Sequence, residues 1–307
     1  MRRVAHSNGV HFLHMPNAQT GLELEAVVGK RVQRAEQRET LMTITPQPLD
    51  GQISRERQGR VFAIGIDRPR KLNGFSPKML TELAEAFTAF ERDDEAWVGL
   101  LHAHGDNFTA GLELDKVAPI IRERSSLAPP GSIDPLSLRP PLRTKPLVCA
   151  VQGICFTLGI ELMLAADIVI AAENCRFAQI EVKRGIMPAG GATIRMVERA
   201  GWGNAQRYLL TGDEFGAAEA LRLGCVQEVV PVGRQQARAL EIANAIAEQA
   251  PLAVRASLRS SRIGVERGPE AAIRHFDAQQ ARLMATEDAA EGVRSFIERR
   301  RGRFVGR

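Results

Sequence analysis

Apolar positions recur along this chain with two periods, and the switches between them mark out its elements. "RVFAIGID" is a compact apolar run that predicts a strand from about Arg60. "SPKMLTELAEAFTAFERDD" changes to helical spacing, with Met79, Leu80, Leu83, Phe87 and Phe90 on one face. Ser76 can cap that helix, and Pro77 suits its first turn. "WVGLLHAHG" predicts the next strand, and "LVCAV" and "DIVIAA" predict two more around a short helix. A glycine-rich turn, "PAGGAT", leads into further helices over 193–200, 204–211, 216–223, 233–250, 251–265 and 269–300. Strands alternating with helices, then a helical end, predict an α/β fold with a helical appendage.

Between the first strands and the Gly-rich turn lies "CFTLGIELMLAADIVIAA", where Glu161 stands in an almost wholly apolar tract. A lone helical Glu usually joins a polar face. Here Leu158, Ile160, Leu162, Met163, Leu164 and Ala165 leave no such face, so the helix reads as buried all round. A buried carboxylate is costly unless it is paired, hydrogen-bonded or neutral, and such groups tend to be functional. The tract Leu147–Ala172 is long enough to span a bilayer, but Gln152, Glu161 and Asp167 interrupt it, which argues for strands and a helix instead.

Residues 1–59 are polar and weakly periodic, without the apolar core of a signal peptide. Met42 reads as a more natural start. The stretch before it is expected either to lack order or to reflect where the reading frame was begun. The boundaries expected are an extension over 1–59, a core over 60–232 and a helical region over 233–307. Residues 119–146 hold seven of the sixteen prolines and are too long for a plain connection, which suggests a lid or binding loop.

Composition narrows the chemistry. The chain has 307 residues, 44% hydrophobic and 25% charged, as soluble domains do. Its four cysteines, Cys149, Cys155, Cys175 and Cys225, lie in apolar contexts without a CxxC pair, as in a reduced cytoplasmic protein. No HExxH, GxxxxGK[ST] or post-strand GxGxxG occurs, so a metal, a nucleoside triphosphate and a nicotinamide have no motif behind them. The net charge of +5 favours an anionic ligand. Few aromatics and no RNA-binding signature argue against nucleic acid.

Three segments, "FTAGLEL", "GICFTLGIELMLAADI" and "FAQIEVKRGIMPAGGATIRM", in this order and spacing, resemble the crotonase family of enoyl-CoA hydratases and isomerases. "IDRPRKLNGFSPKML", "LLTGDEFGAAEALRLGCVQEVVP" and "TEDAAEGVRSFIERRRGRF" extend the resemblance over roughly residues 60–307. It implies a spiral of β-β-α units with a C-terminal helical region that packs in trimers, or hexamers built from two trimers. It implies an acyl-CoA substrate whose thioester oxygen lies between the backbone N–H groups of Ala110 and Leu158. Coenzyme A would enter only as part of the substrate, with no other cofactor.

The same resemblance places the catalytic carboxylates at Glu161 and Glu181, sharing a water in the hydratases. Lys71 and Leu72 fall on the loop that meets CoA, Gly111 and Leu112 on the turn beside the thioester, and Arg300 and Phe304 on C-terminal positions that cover CoA, sometimes from a neighbouring subunit. Most of the family has glycine where Leu158 stands, and proline where Ile180 stands. Retention of both glutamates favours hydration. A double-bond isomerase or an acyl-CoA hydrolase on the same fold is the alternative, and a non-catalytic RNA- or CoA-binding protein is a third reading.

Overall fold

The computed structural model describes residues 50–123 and 127–307. The expectations for residues 1–49, including the start at Met42, lie outside the described residues. The larger sheet runs β1 (Gln52–Gln58), β2 (Val61–Asp67), β3 (Val98–Ala103), β4 (Leu147–Val151), β6 (Ile168–Ala172) and β9 (Glu228–Val230). Only the β1–β2 pairing is antiparallel; the others are parallel. Every residue of β2, β3 and β4 is buried, because helices cover both faces of a parallel sheet. That burial is why these strands read as unbroken apolar runs.

β1 corrects the expected extension over 1–59: residues 52–58 belong to the sheet. Its Arg55, Glu56 and Arg57 are exposed, and only Ile53 is buried. An edge strand takes its order from backbone pairing with β2 and keeps charge outward, so its sequence looks like a polar tail.

A smaller sheet holds β5 (Ile154–Phe156), β7 (Arg176–Ala178) and β8 (Phe215–Gly216). The β-β-α repeat is visible directly. β4 leads to β5 and helix α3 (Leu158–Ala165), then β6 leads to β7 and helix α4 (Ala192–Ala200). β4 lies beside β6 in one sheet, and β5 beside β7 in the other. One side of the larger sheet packs on helix α1 (Pro77–Arg92) through Met79, Leu83, Phe87 and Phe90. The other side takes helix α7 (Gln235–Ala247), whose Ala239, Ala243 and Ala247 form a small-residue stripe against Val98, Leu100 and Val148.

Helix α2 (Leu114–Glu123) follows the "FTAGLEL" turn, and α5 (Trp202–Thr211) and α6 (Ala217–Arg222) follow α4. The expected single helix over 269–300 is three: α9 (Pro269–Ile273), α10 (Phe276–Met284) and α11 (Glu287–Ile297), after α8 (Pro251–Arg267). Thr286 explains the last break. Its hydroxyl accepts the Ala289 N–H at 3.1 Å, starting a new helix where apolar spacing alone suggested continuation.

Candidate active site

Glu161 is buried in the middle of α3, whose eight residues are all buried. Its Oε1 accepts N–H bonds from Gly190 at 2.5 Å and Ala192 at 3.5 Å, at the start of α4. Burial pushes the carboxyl up to about 7. The Gly190 N–H opposes that push, the nearby Glu181 charge adds to it, and Ala192 and Arg195 oppose it. Gly190 allows the close approach: a Cβ there would fall 2.2 Å from Glu161 Oε2.

Glu181 opens a 3₁₀ turn, Glu181–Arg184, just after β7, and is half-buried. Burial raises its carboxyl as well. With its amide assigned so that the nitrogen faces the surrounding acceptors, the wholly buried Gln179 donates to both Glu181 oxygens at 3.1 Å each and to the Thr157 carbonyl at 3.3 Å. One side chain thereby links the residue before α3 to the second carboxylate.

Both glutamates line one cleft of about 610 Å³, together with Ala110, Leu112, Thr157, Leu158 and Ile180. Leu158 is the first residue of α3, where N–H groups have no partner in the helix and the dipole favours an anion. Thr157 just before it has φ +49° and ψ −115°, an uncommon conformation for a β-branched residue. The left-handed backbone that glycine would ease thus falls at Thr157, not at Leu158.

Ala110 requires a correction. Its N–H donates to the Leu72 carbonyl at 2.9 Å and so is already engaged. The Gly111 N–H donates to Thr109 Oγ1 at 3.0 Å. Leu112 lines the cleft, and among the described residues its N–H takes no hydrogen-bond partner. The turn therefore presents Leu112 rather than Ala110 as its free donor. Gly111 is needed there: it has φ +102°, and a Cβ would meet Thr157 Oγ1 at 2.0 Å.

Lys71 and Leu72 do not line the cleft, but their loop adjoins it through the bond to Ala110. Asn73 anchors that loop: its amide donates to the carbonyls of His104 and Asn107 and its oxygen accepts the Arg68 N–H. Arg300 and Phe304 lie outside the cleft. Arg300 pairs with Glu291 and Glu298, and the Phe304 carbonyl accepts from Arg60. Ile121, Leu127, Asp134, Leu136 and Arg139, from the Pro-rich stretch 119–146, line the cleft. Gln179, Arg184 and Gly190 all lie in the "FAQIEVKRGIMPAGGATIRM" segment, but nothing in the sequence assigns any of them a role in the site.

Among the described residues, no helix is long and apolar enough to cross a membrane, and no group of three or more His, Cys, Asp or Glu could hold a metal. All four cysteines are free and buried. The two-sheet β-β-α spiral with its helical C-terminal region is the fold of the crotonase class. The enoyl-CoA hydratase/isomerase family model matches residues 56–307, and the chain is an enzyme of that family. It is 34% identical over 256 residues to the enoyl-CoA hydratase EchA19 of Mycobacterium tuberculosis, covering 82% of this chain and 96% of the relative. It is 32% identical to the short-chain-enoyl-CoA hydratase of Clostridium acetobutylicum, covering 80% and 94%. The crystal structure of a probable enoyl-CoA hydratase/isomerase from Mycobacterium abscessus superposes with a TM-score of 0.80 at 49% identity, covering 83% of this chain and 98% of that one.

Proposed function

We propose that this protein is a 2-enoyl-CoA hydratase that adds water across the Cα=Cβ bond of an acyl-CoA thioester. The observation that carries this is the pair Glu161 and Glu181 in one cleft, both with raised pKa. Burial, with the Glu181 charge adding to it, holds Glu161 at about 7, so Glu161 can both hold and release a proton near neutral pH, and burial raises Glu181 as well. The ionised member takes a proton from water as its oxygen bonds to Cβ. The protonated member delivers its proton to Cα. Negative charge grows on the thioester oxygen as water adds, and the N–H groups of Leu112 and Leu158 meet it there. Each such donor is worth on the order of 3 kcal/mol.

In an assembled trimer, Arg300 and Phe304 would serve CoA from a neighbouring subunit, and Lys71 and Leu72 from the same chain. The test is hydration of crotonyl-CoA, followed by loss of the enoyl-thioester absorbance. Glu161→Gln and Glu181→Gln should each lower kcat by about 10² or more while CoA binding survives. The double variant should be little worse than the poorer single one. A Glu161→Gln enzyme that hydrates at the parent rate would refute the two-glutamate mechanism, and a parent enzyme that does not hydrate crotonyl-CoA would move the assignment to an isomerase or hydrolase.

A further inference from the structure

We propose that the acyl end of this cleft is built for a chain that ends in a carboxylate, so that the substrate is a dicarboxylic enoyl-CoA. This rests on the hydratase reading for the reaction, but its own ground is the lining of the cleft. Leu114, Ile121, Leu127, Leu136, Ile186 and Met187 give it an apolar wall. The same lining includes two exposed arginines from separate segments. Arg139 comes from the loop between α2 and β4, and Arg184 ends the 3₁₀ turn that Glu181 opens.

Among the described residues, neither side chain has a hydrogen-bond or ion-pair partner. Some surface arginines are paired, Arg176 with Glu214, Arg238 with Glu228 and Arg300 with Glu291; what marks Arg139 and Arg184 is that they line this cleft. The acids of the cleft are committed in other directions. Asp134 accepts the N–H groups of Leu136, Leu138 and Arg139. Glu161 accepts those of Gly190 and Ala192, and Glu181 takes the Gln179 amide. The lining thus carries two guanidinium groups in no ion pair beside an apolar surface, with the three carboxyl groups of the cleft turned to other donors. Low-dielectric walls focus such a potential and select an anionic group, and guanidinium matches carboxylate in geometry.

The phosphates of CoA are the other anions at hand. In the hydratase reading the thioester oxygen sits at the N–H groups of Leu112 and Leu158, and the Lys71–Leu72 loop that would receive CoA does not line the cleft. Arg139 and Arg184 do line it, which leaves them to the acyl chain.

The test is calorimetric binding of saturated, unreactive pairs: adipoyl-CoA against hexanoyl-CoA, and suberoyl-CoA against octanoyl-CoA. The parent enzyme should bind the dicarboxylic member about tenfold more tightly, the scale of a hydrogen bond to a charged group. Arg139→Met and Arg184→Met should each reduce that ratio, and the double variant should abolish it. Arg139→Lys and Arg184→Lys should restore part of it, and added salt should weaken it. Equal or weaker binding of the dicarboxylic member by the parent enzyme overturns the proposal, and this comparison needs no variant to fold. So does a preference that survives the double substitution. Hydration of crotonyl-CoA without any dicarboxylic preference keeps the hydratase reading and removes this one. A dicarboxylic preference without hydration of any enoyl-CoA keeps the pocket assignment and removes the hydratase reading.

Discussion

Gly190→Ala places one methyl group against the Glu161 carboxylate. A Cβ built on the Gly190 backbone falls 2.2 Å from Oε2, 2.5 Å from Cδ and 3.0 Å from Oε1. Gly190 is not among the residues of positive φ, so alanine meets no backbone strain and the clash is the whole perturbation. Restoring ordinary carbon–oxygen contact requires the carboxylate to move by about 1 Å. A misplacement of that size in a catalytic group costs on the order of 10²-fold. The move also stretches the Gly190 N–H bond, which favours the ionised carboxylate and so holds the Glu161 pKa down against burial. Weakening it lets that pKa rise further above about 7. Three results are therefore expected with crotonyl-CoA: kcat lower by about 10², KM little changed, and the pH-rate limb that Glu161 governs displaced to higher pH. Thermal unfolding should show that the fold persists. Parent kcat with an unmoved pH profile would refute the assignment of Glu161 to the reaction.

Other expectations follow from single contacts. Glu161 is raised from 4.5 to about 7 in the folded chain, so the unfolded chain releases this proton first and stability falls as pH rises through that window. Glu161→Gln should match the parent below pH 4 and exceed it by about 3 kcal/mol at pH 8, measured by urea unfolding at both pH values. Thr157→Gly removes the strain at φ +49°; about 1–3 kcal/mol of strain less about 0.5–1 for glycine entropy predicts a higher urea midpoint. Asp167→Asn removes the counter-ion of the fully buried Arg143, bonded to it at 2.8 Å, and also loosens Arg262 of α8 at 3.1 Å. A loss of about 3–5 kcal/mol is expected by denaturant titration, and a loss under about 1 kcal/mol would show that solvent reaches the pair.

The burial of Glu161 was legible in the sequence because α3 has no polar face, and a helix without one must be enclosed whatever surrounds it. The strands β2, β3, β4 and β6 were legible for the same reason. β1 was not, since an edge strand is held by its neighbour's backbone and carries charge on its free side. The helical breaks at the C-terminal end depend on a cap, Thr286, that apolar periodicity does not register. Glu181 on its own is an unremarkable polar residue. Resemblance drew attention to it, and the fold supplied the reason: Gln179 orients it and the cleft partly buries it.

What the sequence by itself determined is the class of structure and the presence of an enclosed acid, both consequences of local composition and period. Which backbone donors stay free was decided only by tertiary structure. Ala110 and Leu112 are equivalent as residues in the "AGL" turn, yet the Leu72 carbonyl, brought over by the loop that Asn73 anchors, takes the Ala110 N–H and leaves that of Leu112. The same holds for charge. Of the many arginines in the chain, Arg139 and Arg184 are set apart by where the fold places them: against an apolar cleft whose acids are committed to backbone N–H groups and to Gln179. Hydrogen bonding and counter-charge depend on what each group faces across the fold, and pattern along the chain carries no record of that.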